Sequence, residues 1–387
     1  MLWFGMVLSM GGFQMQMVAR GILVYNMTDN AFITGIVGMG FAPSLLVVSL
    51  YGGVLGDRVE RRVLIQGSQA ANGILAGIVA ILMFTGSLAW GHLFAVSVAQ
   101  GAMFALQMPA RQAAIPSLVG KDQLPNAFAL NAMAMSMMTL FAPALAGVLY
   151  EVVGPENVYV LVCAVMLSAV IFTSLVPKMP PPPITDKQSV VENIIGGFKY
   201  IGRNKLVLNL MIYSVIVALL SMPFRMLVQV YAKDVYGSDA SEVGVLLTAL
   251  GLGGLVGTIS IANLRKGHRR GWIVLLGAIV ASASLGLMVS VPVYAAGILG
   301  MVGMGLAEQA RWALGQSLMM ENTTDEYRAR VMSVLMMTFG LMPLGMLPLG
   351  WAIKEFGARP SVGVISIVLL VFALLSIVLM PRLRRAL

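Results

Sequence analysis

Residues 53–62 read Gly-Val-Leu-Gly-Asp-Arg-Val-Glu-Arg-Arg, a short charged segment between two long apolar runs at 31–52 and 63–86. About 20 apolar residues span roughly 30 Å of hydrocarbon in a helix that rises about 1.5 Å per residue. Both runs reach that length. A charged turn between two membrane-crossing helices must lie at a membrane surface, so this stretch predicts an all-α integral membrane protein.

The composition of the whole chain agrees with a membrane protein. Apolar residues make up 59% of the 387 residues and charged residues only 11%, whereas a soluble domain carries about 25% charged residues. The single cysteine, Cys163, lies in an apolar run, and the two histidines, His92 and His268, are far apart in the sequence. We therefore expect no disulfide framework, no metal site and no cofactor.

Twelve apolar runs are long enough to cross a bilayer. The first run begins at Met1 without a basic segment or a cleavage site before it, so we expect a retained helix and not a secretory signal. The approximate ranges of the runs are 2–25, 31–52, 63–86, 90–109, 124–150, 157–177, 206–231, 241–263, 272–290, 293–312, 328–354 and 359–380.

One longer connection, at 178–205, separates the sixth run from the seventh. It begins with four prolines at 180–183, a stiff extended spacer, and its residues 190–200 are expected to form an amphipathic helix on the membrane surface. The predicted organisation is therefore a six-helix bundle at 1–177, a cytosolic linker at 178–205 and a second six-helix bundle at 206–387.

The basic residues are distributed unevenly over the predicted loops, and cytosolic loops of membrane proteins are enriched in Lys and Arg. The opposite loops contain only Lys233, Lys354 and Arg359. This asymmetry predicts that both termini are cytosolic, and it accounts for the net charge of +9 without a nucleic-acid partner. The predicted cytosolic set is Arg58, Arg61, Arg62, Arg111, Lys121, Lys178, Lys187, Lys199, Arg203, Lys205, Arg265, Lys266, Arg269, Arg270, Arg328, Arg330, Arg382, Arg384 and Arg385.

The two halves of the chain resemble each other. Residues 110–118 (Ala-Arg-Gln-Ala-Ala-Ile-Pro-Ser-Leu) match residues 310–318 (Ala-Arg-Trp-Ala-Leu-Gly-Gln-Ser-Leu) at five of nine positions. Arg20 likewise has a counterpart in Arg225. Ordered matches at a nearly constant offset indicate an internal duplication, an arrangement found in transporters whose substrate site lies between the repeats.

These motifs support a resemblance to a known family. Residues 53–62 resemble the loop signature G-x-L-a-D-R-x-G-R-R of the major facilitator superfamily, with Glu60 at the second glycine position. Residues 142–147, Ala-Pro-Ala-Leu-Ala-Gly, resemble its antiporter signature G-P-x-x-G-G. Residues 14–25 and 109–111 resemble the enterobactin-exporter and macrolide-efflux branch. The resemblance covers essentially the whole chain and implies twelve transmembrane helices in two pseudo-symmetric bundles that transport by alternating access.

The resemblance also implies a cytosolic gate at the charged loop. Asp57 can cap a helix or pair with a cation, and the arginines can bind carbonyls and carboxylates across the gate. The alternative is a plain basic membrane anchor, which requires neither the aspartate nor the glycine pattern. The gate candidates are Gly53, Asp57, Arg58, Arg61, Arg62 and Arg111, and the candidates of the span 5 motif are Ala142, Pro143, Ala146 and Gly147.

Glu308 is the only carboxylate predicted to lie inside a span away from its ends. An ionisable group at the centre of a spanning helix costs about 2.5–3.5 kcal/mol on insertion scales, which marks it as a candidate for proton coupling or substrate contact. Arg311 lies three residues later, so the alternative is that Glu308 neutralises it. Drug–proton antiporters of neighbouring branches carry R-x-x-q-G in span 4, and Ser97 replaces that arginine here. This departure counts against the common proton-coupling arrangement.

Further polar residues fall in spans 1, 4, 7 and 10, which line the central cavity in the superfamily. We expect them to contact substrate or form an outer gate, although the two arginines could extend to the lipid headgroups instead. The segment 251–257 imitates a dinucleotide-binding fingerprint but lies inside a span, so we interpret it as a helix-packing surface. The cavity or outer-gate candidates are Gln14, Gln16, Arg20, Gln107, Arg225, Gln229 and Gln309.

The leading functional prediction is a secondary active exporter of amphiphilic small molecules, such as drug-like compounds or siderophores, with proton coupling left open. The chain carries no G-x-x-x-x-G-K-[ST] motif, so it is not expected to be an ATP-driven pump by itself. The alternatives are an uptake carrier or lipid transporter of the same fold, and a non-transporting membrane sensor or assembly protein. We expect no enzyme, because no catalytic constellation falls in the spans. The expected partners are a small-molecule substrate and the lipid bilayer, for a monomer in a bacterial inner membrane.

Overall fold

The computed structural model describes residues 1–48, 59–119, 123–178, 190–262, 270–324 and 342–384, together with 327, 328, 330–332, 334 and 335. In this part of the chain the regular structure is helical and contains no strand. The chain divides into two compact units, one formed by Met1–Lys187 with Asp239–Gly244 and the other by Gln188–Ser238 with Val245–Leu387. The division falls inside the predicted linker at 178–205.

The first unit is built from long helices joined by short turns. A helical turn at Gly40 is followed by helical residues 41–48, so the second helix continues toward the charged loop. The helices are α1 (Leu2–Thr28), α2 (Ala31–Met39), α3 (Arg61–Phe84), α4 (Trp90–Leu118), α5 (Leu124–Val153) and α6 (Pro155–Ser174).

The second unit begins with a helix of the linker. Its described helices are α7 (Val190–Arg203), α8 (Lys205–Met226), α9 (Val228–Tyr231), α10 (Ala240–Ala262, of which residues 240–244 belong to the first unit), α11 (Arg270–Ser290), α12 (Tyr294–Glu321), α13 (Met346–Phe356), α14 (Ala358–Leu379) and α15 (Pro381–Arg384). A π-helical turn at Ala232–Tyr236 follows α9, and a 3₁₀ turn at Met342–Gly345 precedes α13.

Local sequence signals explain several of these boundaries. Asn30 caps α2, because its Oδ1 accepts hydrogen bonds from the backbone of Phe32 (3.0 Å) and Ile33 (3.3 Å). Gly154 and Gly357 adopt φ values of +84° and +88°, which side chains rarely tolerate. They form the turns between α5 and α6 and between α13 and α14, so the duplicated halves use glycine at equivalent positions.

The same packing order occurs in both units. In the first unit α3 packs against α4 and α6, and in the second unit α11 packs against α12 and α14. The outer faces are apolar: Ile171 on α6 is 63% exposed and Ile367 on α14 is 64% exposed. Large exposed apolar side chains arranged along whole helices indicate contact with lipid.

Nine helices among the described residues are long and apolar enough to cross a membrane. Helices α1 and α12 are not among those nine, but they contain 27 and 28 residues, which is ample length for a span. Their polar side chains lower the mean hydropathy. The predicted run at 328–354 lies partly outside the described residues, so the total of twelve spans stays a prediction.

The glycine-rich segment 251–257 lies inside α10 and packs closely against α12 in the second unit. A Cβ atom on Gly253 would lie 1.9 Å from the carbonyl oxygen of Val302, and one on Gly257 would lie 2.7 Å from that of Leu306. Gly305 on α12 is equally close to α10, because a Cβ atom on Gly305 would lie 1.9 Å from the carbonyl oxygen of Leu250. The helix-packing interpretation of this segment is confirmed.

The linker helix α7 extends three residues beyond the predicted 190–200. The rings of Tyr200 and Tyr327 stack with centroids 4.7 Å apart, and the Arg330 guanidinium lies 5.0 Å from the Tyr327 centroid. The Tyr200 hydroxyl oxygen accepts a hydrogen bond from the Thr324 backbone at 3.1 Å, which lowers the pKa of that phenol. These contacts fix α7 to the segment that follows α12. Its exposed face includes Phe198, at 54% exposed, consistent with an amphipathic helix.

Candidate functional site

Part of the predicted cytosolic gate lies outside the described residues, namely Gly53, Asp57 and Arg58. Arg61 begins α3, and the next residue, Arg62, donates a hydrogen bond from Nη1 to the carbonyl oxygen of Val176 at 2.6 Å. Val176 follows the end of α6. Arg62 therefore connects the start of α3 to the end of α6 within the first unit, and its role in a gate stays a prediction.

Arg111 is buried in the first unit, with 3% of its surface exposed. Its Nη2 donates to the Ser9 hydroxyl at 2.8 Å and to the Met6 carbonyl oxygen at 3.5 Å. Both acceptors lie on α1, whereas Arg111 lies near the end of α4. The guanidinium is a brace between two helices of one unit, a contact that sequence analysis did not predict.

A cavity of about 350 Å³ lies beside this brace in the first unit. Its wall is formed by the start of α1, the end of α4, the start of α5 and the segment after α6. Two of the lining residues are hydrogen-bonded to each other: Trp3 on α1 donates from Nε1 to the carbonyl oxygen of Leu130 on α5 at 2.9 Å. The polar exception in an otherwise apolar lining is Asn131, whose Oδ1 is buried without a hydrogen-bond partner. The other lining residues include Met1, Leu2, Met6, Ile115, Leu118 and Val176.

A second polar group of the first unit surrounds Arg20. The arginine is only 6% exposed, so it does not extend to the lipid headgroups. Its Nη1 donates to the side-chain oxygen of Gln100 on α4. Gln100 is the glutamine of the span 4 pattern R-x-x-q-G, in which Ser97 replaces the arginine. The arginine that binds this glutamine therefore comes from α1.

Three further candidates of the first unit are buried or half-buried glutamines on α1 and α4. Gln14 donates from Nε2 to the Thr139 hydroxyl at 3.3 Å, which joins α1 to α5. The Nε2 atom of Gln107 is buried without a hydrogen-bond partner. Gln16 also has buried, unpartnered amide atoms and lies one helical turn before Arg20.

In the second unit, Glu308 and Arg311 line one small cavity. Its volume is about 10 Å³, about the size that holds one water molecule. The remaining wall includes Ser221 of α8 and Gly277 of α11. Arg311 is 4% exposed, and Glu308 is close enough for the two charges to attract each other. Their charged atoms form no ion pair within 4 Å in the described part of the chain.

The other candidates of the second unit differ in their surroundings. Arg225 on α8 is half-buried, in contrast to its buried repeat counterpart Arg20. Gln229 is 8% exposed and donates from Nε2 to the Met226 carbonyl oxygen at 2.8 Å. Gln309 lies on an exposed surface of α12. These residues are therefore not brought into one cluster with Glu308 by the described contacts.

The span 5 motif is a tightly packed surface of α5. Ala142, Pro143, Ala146 and Gly147 are all buried. A Cβ atom on Gly147 would lie 2.3 Å from the carbonyl oxygen of Ala240, a residue of the Asp239–Gly244 segment that belongs to the first unit. One turn beyond the motif, Glu151 accepts a hydrogen bond from the Ala240 backbone at 2.9 Å.

Sequence reasoning missed Ser9 and Glu151, which make two of these contacts, and Tyr159 of α6, whose phenol lies in electrostatic range of Arg20. Ser9 could have been found, since Ser214 follows it at the same offset of 205 residues that separates Arg20 from Arg225. Glu151 and Tyr159 lie near the ends of predicted spans and carry no comparable signal. The described residues contain no group of three or more His, Cys, Asp or Glu side chains able to hold a metal ion.

Apolar helices in two similarly packed units, with ionisable side chains buried inside each, define a multi-pass membrane transporter. The family model described as the Major Facilitator Superfamily matches residues 2–344. The chain belongs to the Major Facilitator Superfamily, and it is a transporter and not an enzyme. The predicted all-α membrane fold of the major facilitator type is confirmed, whereas the number of twelve spans stays a prediction.

Curated relatives are similar at low identity. The chain is 24% identical over 317 residues to the enterobactin exporter EntS of Shigella boydii serotype 4 (strain Sb227), covering 81% of this chain and 75% of the relative. The enterobactin exporter EntS of Escherichia coli O6:K15:H31 (strain 536 / UPEC) matches with the same identity and coverage.

Solved transporter structures have the same fold. A POT family transporter in complex with 5-aminolevulinic acid aligns with a TM-score of 0.79 at 14% identity, covering 99% of this chain and 96% of that chain. The nucleoside transporter NupG aligns with a TM-score of 0.77 at 14% identity, covering 98% of both chains. A bacterial homologue of the human lysosomal transporter Spinster aligns with a TM-score of 0.74 at 15% identity, covering 98% and 96%.

Proposed function

We propose that this transporter is a secondary active exporter of amphiphilic small molecules that works by alternating access. In this proposal it is a monomer in a bacterial inner membrane with both termini in the cytosol. Its bundles are residues 1–177 and 206–387, joined by the linker 178–205. The observation that carries the substrate class is the cavity of about 350 Å³ in the first unit.

The cavity has the size and lining that suit an amphiphile. Small-molecule sites usually measure about 300–1,000 Å³ and are mainly apolar with a few polar groups that fix orientation. Here the apolar wall contains Met and Trp side chains, and the unpartnered Oδ1 of Asn131 offers one acceptor. Arg111 lies behind the wall, bound to the carbonyl oxygen of the lining residue Met6. A molecule with an apolar body and one hydrogen-bond donor would therefore satisfy this site.

Export is the direction favoured by two independent features. The curated relatives are named as enterobactin exporters, although the identity of 24% does not carry their substrate to this chain. The span 5 motif at 142–147 resembles an antiporter signature and lies on a tightly packed surface of α5. We propose that the charged loop with Arg62 and Arg111 controls access on the cytosolic side.

Proton coupling through Glu308 is the second part of the proposal. The carboxylate borders a cavity of about 10 Å³ in the second unit and forms no ion pair within 4 Å among the described residues. A carboxylate beside a cavity of this size can exchange a proton through a single water molecule. No cofactor enters this scheme.

The substrate proposal is tested in proteoliposomes with a neutral fluorescent amphiphile, the N-hexyl amide of dansyl sulfonic acid, whose sulfonamide supplies one N–H donor. The wild-type protein should exchange this probe across the membrane. Asn131→Leu should raise its apparent KM by about three- to tenfold, because one buried hydrogen bond is lost. Asn157→Leu, on an exposed end of α6, is the matched control and should leave KM unchanged.

Two outcomes would contradict this proposal. If the folded wild-type protein does not exchange the probe or any member of an amphiphile panel, the chain does not transport this class of molecule. If both Asn variants have the same KM as the wild type, the cavity is not the substrate site. Inward transport alone, with no export, would favour the uptake carrier.

A further inference from the structure

The first unit buries the cation Arg20, which has no ion-pair partner among the described residues. Arg20 is 6% exposed, and its hydrogen bond in the described part of the chain goes to a neutral amide, the Oε1 of Gln100. No carboxylate of the described residues lies within 4 Å of it. A guanidinium has five N–H donors, and a buried charge is costly unless it is paired and hydrogen-bonded.

Unpartnered polar atoms are concentrated on the three helices that supply Arg20, Gln100 and Tyr159. The atoms that are buried without a hydrogen-bond partner are both amide atoms of Gln16, the Ser97 Oγ, the Gln100 Nε2 and the Tyr159 Oη. Gln16 lies one turn before Arg20 on α1, Ser97 lies one turn before Gln100 on α4, and the Tyr159 phenol of α6 is in electrostatic range of Arg20. Native proteins pair about 90% or more of their buried polar groups, so this concentration indicates a site that a guest completes.

The donor and acceptor inventory defines the guest. The guanidinium, the two amide NH₂ groups and the two hydroxyls can all donate, whereas the Gln16 carbonyl oxygen is the one unpartnered group that can only accept. A water molecule could satisfy some of these donors but would leave the charge uncompensated. A single negative charge with several acceptor lone pairs would satisfy both the donors and the charge.

We infer that Arg20, Gln16, Ser97, Gln100 and Tyr159 form a single-anion binding site inside the first unit. The site binds either a carboxylate-like group of the transported molecule or a free inorganic anion. This inference rests on the proposed transport function, because alternating access gives the guest a route to a buried site. Its repeat counterpart is not a second such site: Arg225 in the second unit is half-buried.

The test measures binding by the purified full-length protein in lipid nanodiscs. The probes are sodium benzoate, the neutral isostere benzamide and sodium chloride, each titrated while the midpoint of thermal unfolding is recorded. A ligand that binds only the folded state raises this midpoint further as its concentration increases above its dissociation constant. Benzoate, chloride or both should raise the midpoint of the wild-type protein, and benzamide should not.

Variants then assign the binding to the cluster. Arg20→Gln should weaken anion binding by about 10- to 100-fold, because it removes a charge-assisted hydrogen-bond donor. The matched variant Arg225→Gln, at the counterpart position of the second unit, should bind as the wild type does. Tyr159→Phe removes a single donor and should weaken binding by about three- to tenfold. It provides a second variant if Arg20→Gln does not fold.

Each outcome has a defined meaning. Stabilisation by chloride identifies a free inorganic anion as a guest, and stabilisation by benzoate but not chloride identifies a carboxylate group of the cargo. The inference is overturned if neither anion stabilises the wild-type protein, or if Arg20→Gln and Tyr159→Phe respond like the wild type. Anion binding without exchange of the dansyl probe would refute the proposed substrate class but leave the anion site standing. Probe exchange without anion binding would refute the anion site but leave the proposed substrate class standing.

Discussion

Replacing Gly253 with alanine tests the close contact between α10 and α12 in the second unit. The added Cβ would lie 1.9 Å from the Val302 carbonyl oxygen, whereas real Cβ atoms essentially never approach within 3.0 Å. The helices would have to separate locally by about 1.1 Å, the difference between these two distances. The obstructing atom belongs to the backbone of α12, so no side-chain rotation can relieve the overlap.

The expected loss of stability follows from two opposing terms. Overpacking against a rigid backbone costs about 3 kcal/mol, at the upper end of the usual range. Alanine in place of glycine within a helix recovers about 1 kcal/mol. We therefore expect Gly253→Ala to lower the free energy of unfolding by about 2 kcal/mol. For a unit of this size that loss lowers the unfolding midpoint by about 4–8 °C.

The neighbouring glycine provides the control. A Cβ on Gly254 would lie 3.7 Å from the Gly305 carbonyl oxygen, an ordinary contact, so Gly254→Ala should leave stability equal or slightly higher. The assay is the thermal unfolding of both purified variants in the same detergent, followed by tryptophan fluorescence and size-exclusion chromatography. If Gly253→Ala unfolds at the same temperature as Gly254→Ala, the packing argument is refuted.

Three further predictions concern orientation, coupling and the internal brace. Cysteine introduced at Thr28 should react with an impermeant maleimide in intact cells and cysteine at Val59 should not; labelling at Val59 would reverse the proposed orientation. Glu308→Gln should abolish transport driven by a pH gradient but keep substrate exchange, since glutamine imitates only the protonated carboxyl. If Glu308 merely balances Arg311, function should instead return when Arg311→Gln is added, and pH-driven transport that survives Glu308→Gln unchanged would exclude coupling. Arg111→Met should lower the free energy of unfolding by about 1.5–3 kcal/mol through loss of its hydrogen bonds to α1. An unchanged unfolding curve would show that these hydrogen bonds do not stabilise the first unit.

The fold was largely predictable from the sequence, because hydrocarbon imposes a simple length rule on each helix. Gly154 and Gly357, which adopt positive φ at equivalent turns of the two halves, were not singled out from the sequence. The glycine-rich segment of α10 was also interpreted correctly, because an apolar span cannot form the strand and loop of a nucleotide site. The sequence also predicted α1 and α12 as spans despite their buried polar residues, and the total of twelve stays a prediction because the run at 328–354 lies partly outside the described residues.

The candidate sites were predictable only in part. Membrane cost marks Arg20 and Glu308 as unusual, but it does not reveal their partners. The bond from Arg20 to Gln100 joins residues 80 positions apart, and the bond from Arg111 to Ser9 joins residues 102 positions apart. Such contacts depend on how helices rotate against each other, and a rotation of one residue changes which side chains meet. Hydropathy is insensitive to that rotation.

The most direct test of the central claim, gradient-driven export, is uptake of the dansyl probe by everted membrane vesicles that contain no ATP. The account predicts that the probe accumulates inside these vesicles when the interior is made acidic. It also predicts that accumulation collapses when a protonophore dissipates the pH gradient. Accumulation that requires ATP, or that occurs only in right-side-out vesicles, would contradict the account.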